Sequence, residues 1–240
     1  MADETSRIPR PRPMFIPLQI AIGLGLGYLA ASISESLLHR FVGHARAGTR
    51  RYWARHPRLF GHLLRVHYRH AVVHHGLTYR SDHVTQFDDQ VHRSRVDRVI
   101  GKAGDPLIVR ERYGLTIGLR SLISYNLTVV PALPVLAVMI GPWSILGALP
   151  MLMAAPLMAM VVHPSLHRPY ASVDPQAPRH LARLLRTRYF RYLVRHHFLH
   201  HEDPTCNFNL LLGGDWLFGV GRRPDREELD RIRSLGLPID

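Results

Sequence analysis

Four groups of histidines carry the chemistry legible in this chain. They are His39 and His44 in "ESLLHRFVGH", His67, His70, His74 and His75 in "VHYRHAVVHHG", His163 and His167 in "VHPSLHRPY", and His196, His197, His200 and His201 in "RHHFLHH". The 240 residues include 17 histidines, an excess that needs a cause. Neutral imidazole is the commonest metal ligand among side chains. One histidine alone reads as a solvated or hydrogen-bonded residue, whereas ten in four groups read as a metal site.

Helical geometry sharpens this reading. At about 100° per residue, His70 and His74 fall within about 60° of His67, while Arg65 and Arg69 point the opposite way. In the last group His197, His200 and His201 lie opposite Arg188, Arg191 and Arg195, and His196 falls off that face. Histidines inward and arginines outward on two separate segments predict a shared interior. His163 and His167, at i and i+4, can chelate one ion from one helical turn, with Pro164 at its start. His39 and His44 stand about 140° apart on an α-helix, so the helix is expected to end near Gly43 and His44 to enter from a loop. Ten imidazoles exceed the needs of one ion and match two. An all-nitrogen set suits iron, copper, zinc or nickel. The single cysteine, Cys206, excludes an internal disulfide and a multi-cysteine site.

The elements that must position these groups are apolar. Met14 to Ser34 has no charged residue and about the length a helix needs to cross a bilayer. Gly23 and Gly27, one turn apart, would let another helix approach closely. Ser121 to Val162 is again uncharged and is interrupted at Gly141-Pro142. Spans are therefore expected at about 14–34, 119–141 and 144–162. The fold class is all-α integral membrane with three membrane helices, a fourth being left open, and a helical cap holding the histidines. Residues 1–13 form a tail, 14–220 a single membrane domain, and 221–240 a tail helix.

Topology also interprets the charge. The net charge is +13, and Lys102 is the only lysine. Residues 45–113 hold fourteen Lys/Arg against six Asp/Glu, and 163–240 hold twelve against nine. A hairpin between them puts both segments on one side, which the positive-inside rule makes cytoplasmic. The basic balance is thus assigned to orientation at the cell membrane and to an anionic lipid surface, and nucleic acid is not expected as a partner. Arg7, Arg10 and Arg12 in the tail run against this orientation.

Taken in order, the groups resemble the histidine boxes of the membrane fatty acid hydroxylase/sterol desaturase superfamily, whose pattern runs H-x4-H, H-x2–3-H-H, H-x3-H, H-x2–3-H-H. Matching positions are His39 and His44, then His70, His74 and His75, then His163 and His167, then His197, His200 and His201. The resemblance covers about residues 35–220. The segment "NFNLLLGGDWLFG" (Asn207 to Gly219) is similar to the stretch that often follows the last box. The second box has three intervening residues where two are common, so His67 is a possible extra ligand. The resemblance implies a dimetal centre with two iron ions, which zinc can replace in a purified protein. It further implies O2 as co-substrate and hydroxylation of a C–H bond on a membrane lipid, of fatty acyl, sterol-like or isoprenoid type. A desaturase would share the boxes, and a non-catalytic metal-binding or transport protein is the alternative from another class. No His-Pro-Gly-Gly haem motif occurs, so electrons are expected from a separate ferredoxin or cytochrome.

Remaining features are read more plainly. The second nitrogens of the ligands need orienting partners. Glu35 is a candidate; Glu202, Asp203 and Asp215 are further candidates expected at the surface. Tyr79 to Asp105 is expected as a polar loop with a short helix, a candidate lid, with His83 and His92 in solvent. Pro224 and Asp225 predict the start of a C-terminal helix with Leu229, Ile232 and Leu235 as its apolar stripe.

Overall fold

A computed structural model describes residues 15–102, 125–126, 129–169, 179–203 and 205–238. All regular structure among them is helical. The tail 1–13 lies outside the described residues, as does most of the first half of the expected 119–141 span.

Helix α1 (Ile16–Leu38) continues into a π-helical turn, His39–Gly43. Then come α2 (Ala47–Arg55) and α3 (Pro57–His67), which runs into a ten-residue π-helical segment, Tyr68–Leu77. Helix α4 (Gln90–Lys102) is longer than the short helix expected there. Helices α5 (Val129–Met139), α6 (Ser144–Ala148) and α7 (Met151–Val161) are apolar, and a 3-10 turn, His163–His167, follows α7. Helices α8 (Arg179–Leu185), α9 (Arg188–Glu202), α10 (Gly214–Leu217) and α11 (Arg226–Ser234) complete the described chain.

Two segments, Ile16–Gly43 and Ser144–His167, are long and apolar enough to cross a membrane by length and composition. At about 1.5 Å per residue, the 23 residues of α1 extend about 34 Å, a little more than a hydrocarbon core. The described part of the remaining expected span, α5, has 11 residues.

Glycines set the contact between the two long segments. A methyl group at Gly23 would overlap the Ser144 backbone carbonyl, and one at Gly147 would overlap that of Ile20. At Gly27 it would stand 2.8 Å from the Ala148 Cα. Backbones meet where side chains would otherwise hold them apart. The segments run parallel, so His39 and His163 arrive at the same end. The turn between α5 and α6 uses Gly141 at φ +124°, and the Gln19 side chain accepts the Trp143 N–H there.

Beyond that end lies the apolar core, built around α9. Phe190, Leu193, Val194, Phe198 and Leu199 are buried against Val162, Leu166, Leu185, Phe208 and Ile232. Thr187 caps α9 by accepting the Phe190 N–H at 3.2 Å. In α11, Asp225 accepts the Glu228 N–H while Glu228 accepts the Asp225 N–H, each at 2.9 Å. That capping box begins the helix at Asp225, and Ile232 carries its buried face.

Candidate metal centre

Two adjacent groups of imidazoles form where the four segments meet. His39, His44, His70 and His200 make the first, and His74, His167, His197 and His201 the second, with the candidate ligand nitrogens of each group within 4.8 Å of one another. His75 adjoins the first group, its Nε2 3.1 Å from that of His200. His163 adjoins the second, its ring 4.6 Å from His197 and 4.9 Å from His74.

A π-helical turn brings His39 and His44 together. An i→i+5 hydrogen bond closes the turn at His39–Gly43, with the His44 N–H donating to the His39 carbonyl at 3.0 Å. Residues five apart then come nearly into line, so His39 and His44 share a face where an α-helix would separate them. Within Tyr68–Leu77, His70 and His75 turn to the first group, their rings 4.8 Å apart, and His74 belongs to the second. Thr78 ends this segment, its hydroxyl contacting the Val73 and His74 carbonyls at 3.1 and 3.0 Å. Along α9, His197 and His201 serve the second group at i and i+4, while His200 turns to the first. His163 and His167 lie on a 3-10 turn with Pro164 at its start, in place of the expected α-helical turn.

Distances between nitrogens fit ligands on a common ion. His44 Nε2 stands 2.9 Å from His70 Nε2 and 3.1 Å from His200 Nε2. His74 Nε2 stands 3.3 Å from His167 Nε2 and 3.1 Å from His201 Nε2. Neighbouring nitrogens each about 2.1 Å from one metal lie roughly 2.9–3.4 Å apart for octahedral to tetrahedral angles. His197 makes the fit sharper. It is fully buried, and neither ring nitrogen has a hydrogen-bond partner among the described residues. An unsatisfied buried polar group costs about 1–3 kcal/mol, which a bound ion would offset.

Several rings have their tautomer set from behind. His200 Nδ1–H donates to the Cys206 carbonyl at 2.8 Å, and His167 Nδ1–H to the His83 carbonyl at 2.7 Å. His39 Nδ1–H donates to the Asn207 carboxamide oxygen at 2.7 Å. Each bond leaves an Nε2 lone pair free for a cation. Burial, reinforced by neighbouring imidazoles, holds His70, His74, His75, His197, His200 and His201 well below the usual histidine value. They are neutral at pH 7, the form that ligates metals.

Other histidines are placed differently. His67 donates Nδ1–H to the Gly43 carbonyl at 2.8 Å and belongs to neither group. His196 is buried, stacked on Tyr192 with ring centroids 4.3 Å apart, and lies outside both groups. His83 and His92, expected in solvent, are only 3% and 6% exposed. His83 donates Nε2–H to the Leu166 carbonyl and packs on His167, and His92 bonds the Leu77 carbonyl at the end of the π-helical segment. Tyr79, at φ +50°, stacks on His167 with centroids 3.8 Å apart. The polar loop between Thr78 and Asp89 thus lies over the second group. Its polar residues satisfy one another: Asp82 accepts the Val84 and Thr85 N–H groups, and Arg80 pairs with Asp88.

The acidic candidates also separate. Glu35 is buried and accepts the Leu210 and Leu211 backbone N–H groups, both at 2.8 Å, so it holds a loop and not an imidazole. Glu202 pairs with Arg231 at 2.6 Å, and Asp203 accepts the Thr205 N–H. Asp215, expected at the surface, is only 3% exposed and accepts hydrogen bonds from Ser36 and Asn207.

Comparison of the chain with protein-family models, curated proteins and solved structures yields no match.

Proposed function

We propose that this chain is a membrane-embedded dimetal oxygenase that hydroxylates an unactivated C–H bond of a lipid. The observation that carries the proposal is the convergence of eight histidines from four segments into two adjacent groups, with His75 and His163 beside them, at one end of two apolar helices. Bound there, a redox-active metal pair, for which iron is our assignment, supplies the O2-dependent oxidation that no side chain offers. His39, His44, His70, His75 and His200 would hold one ion, and His74, His163, His167, His197 and His201 the other. The carbonyls of Cys206 and His83 and the Asn207 carboxamide fix ring orientation. The buried rings and the loop at Thr78–Asp89 exclude water.

A lipid substrate follows from the setting. Side chains on the long segments are apolar and partly exposed, with Leu29 and Met160 each 45% accessible. A chain dissolved in the membrane would reach the histidines along this surface without crossing water. Electrons would come from a separate ferredoxin or cytochrome, docked by arginines such as the exposed Arg188. Transport is disfavoured, because it calls for ionisable groups at mid-membrane depth, whereas these ligands sit at the helix ends.

Metal analysis of the detergent-purified protein tests the reading, with His197→Ala and His200→Ala alongside. The expected result is two ions per chain, with each substitution releasing a different one. Less than one ion per chain, unchanged by both substitutions, overturns it. Lipid profiling of cells with and without the gene then separates a hydroxylated product from a desaturated one.

A further inference from the structure

Behind the first histidine group lies a buried polar chain that ends in a carboxylate. The Asn207 amide N–H donors go to Asp215 Oδ1 at 2.6 Å and to the Ser36 carbonyl at 3.2 Å. Because Asp215 can only accept when ionised, this fixes the amide orientation and turns the Asn207 oxygen to the His39 Nδ1–H. Ser36 Oγ–H adds a second donor to Asp215 Oδ1 at 2.9 Å. Asn207, Ser36 and Asp215 are 3%, 1% and 3% exposed, so water does not dilute the carboxylate charge. The second group has no counterpart among the described residues. There His167 is oriented by a neutral backbone carbonyl, and His197 has no partner behind it.

We propose that Asp215, acting through the Asn207 carboxamide, is a positioning residue for His39 that makes the first histidine group the tighter of two inequivalent metal positions. The carboxylate polarises the carboxamide, whose oxygen then draws more strongly on the His39 Nδ1–H. The Nε2 lone pair becomes more basic and its ring is held in one tautomer. The proposal rests on the metal reading above and adds an order of affinity to it.

The experiment is a chelator-competed titration of the full chain in detergent with Co(II) alone, followed by visible absorption. The wild type should show two affinities. Asp215→Asn keeps the side-chain shape and removes the charge, and should weaken the tighter position by about 10–100-fold while leaving the other unchanged. The double variant N207D/D215N moves the carboxylate one residue nearer to His39 and should restore the tighter position, which a merely structural role would not do. Ser36→Ala removes one donor from Asp215 and one acceptor from the Asn207 amide without touching His39, and carries the same test with a smaller loss, should D215N not fold. Two positions that weaken together, no change in D215N, or no rescue in the double variant each overturn the proposal. A wild-type chain that takes up no Co(II) overturns the metal reading itself, and this inference with it.

Discussion

The two histidine groups differ less in their imidazoles than in what stands behind them. The first is tied to the end of α1 and to the loop after α9, through the Cys206 carbonyl and the Asn207–Asp215 pair. The second is tied to the loop between the π-helical segment and α4, through the His83 carbonyl and the Tyr79 ring. One group is therefore braced by a buried carboxylate and a long helix. The other depends on a polar loop that covers it. Two similar sets of imidazoles thus differ in the groups that support them, and perturbations should divide along the same line.

The largest effects should come from the ligands themselves. His200→Ala should cost the first position more than about 100-fold in metal affinity and His197→Ala the second, since even orienting partners are worth about 10–100-fold. Isothermal titration with Zn(II) reads this, and a uniform loss in either variant would dissolve the distinction between the groups. Next comes Gly147→Val, whose added carbons would overlap the Ile20 carbonyl and push the parallel segments apart. It should destabilise the fold by about 3 kcal/mol or more and weaken both positions together, read by thermal unfolding in detergent. An effect confined to one position would show that the helix pair supports only one group.

Acidification comes third. In the metal-free protein, burial lowers His83 and His196 from 6.5 to about 4. As pH falls through 6.5 the unfolded chain takes up protons that the folded chain refuses until about 4. Stability should therefore be lost progressively across that window. Burial pushes Asp215 up to about 6, which acts in the opposite sense, its contribution declining as pH rises from 3.8. The histidines outnumber it, so the midpoint of denaturant unfolding should fall between pH 6.5 and 4. The smallest effect should be Tyr79→Ala. It removes the ring stacked on His167 but leaves a side chain at φ +50°. The second position should weaken a few-fold, by about 1 kcal/mol, with the first unchanged in the same titration.

Much of this arrangement was legible in the sequence. Spacing and uncharged length were enough to find the histidine segments, the long apolar helices and their common end, because these are local patterns. Gly23 marked a close helix contact for the same reason, and Pro224 with Asp225 marked the start of α11. The π-helical turns were not legible. Arithmetic at 100° per residue assumes the α-helical ladder, and no residue type commits a segment to i→i+5 bonding; packing of several rings into one space does. His83, His92 and Asp215 were likewise expected in solvent because polar residues usually stay there. Each is buried with a backbone or side-chain partner that lies far away in sequence or across a loop.

The π-helical segment Tyr68–Leu77 has one more consequence. It gives two rings to one group and one to the other, and α9 does the converse, so each of these rigid segments straddles both positions. The separation between the positions is then a ruler cut into the backbone and is not adjusted by side-chain motion. Deleting one residue between His70 and His74 would remove no histidine. It would change the membership of both groups at once, so neither position can drift independently of its neighbour.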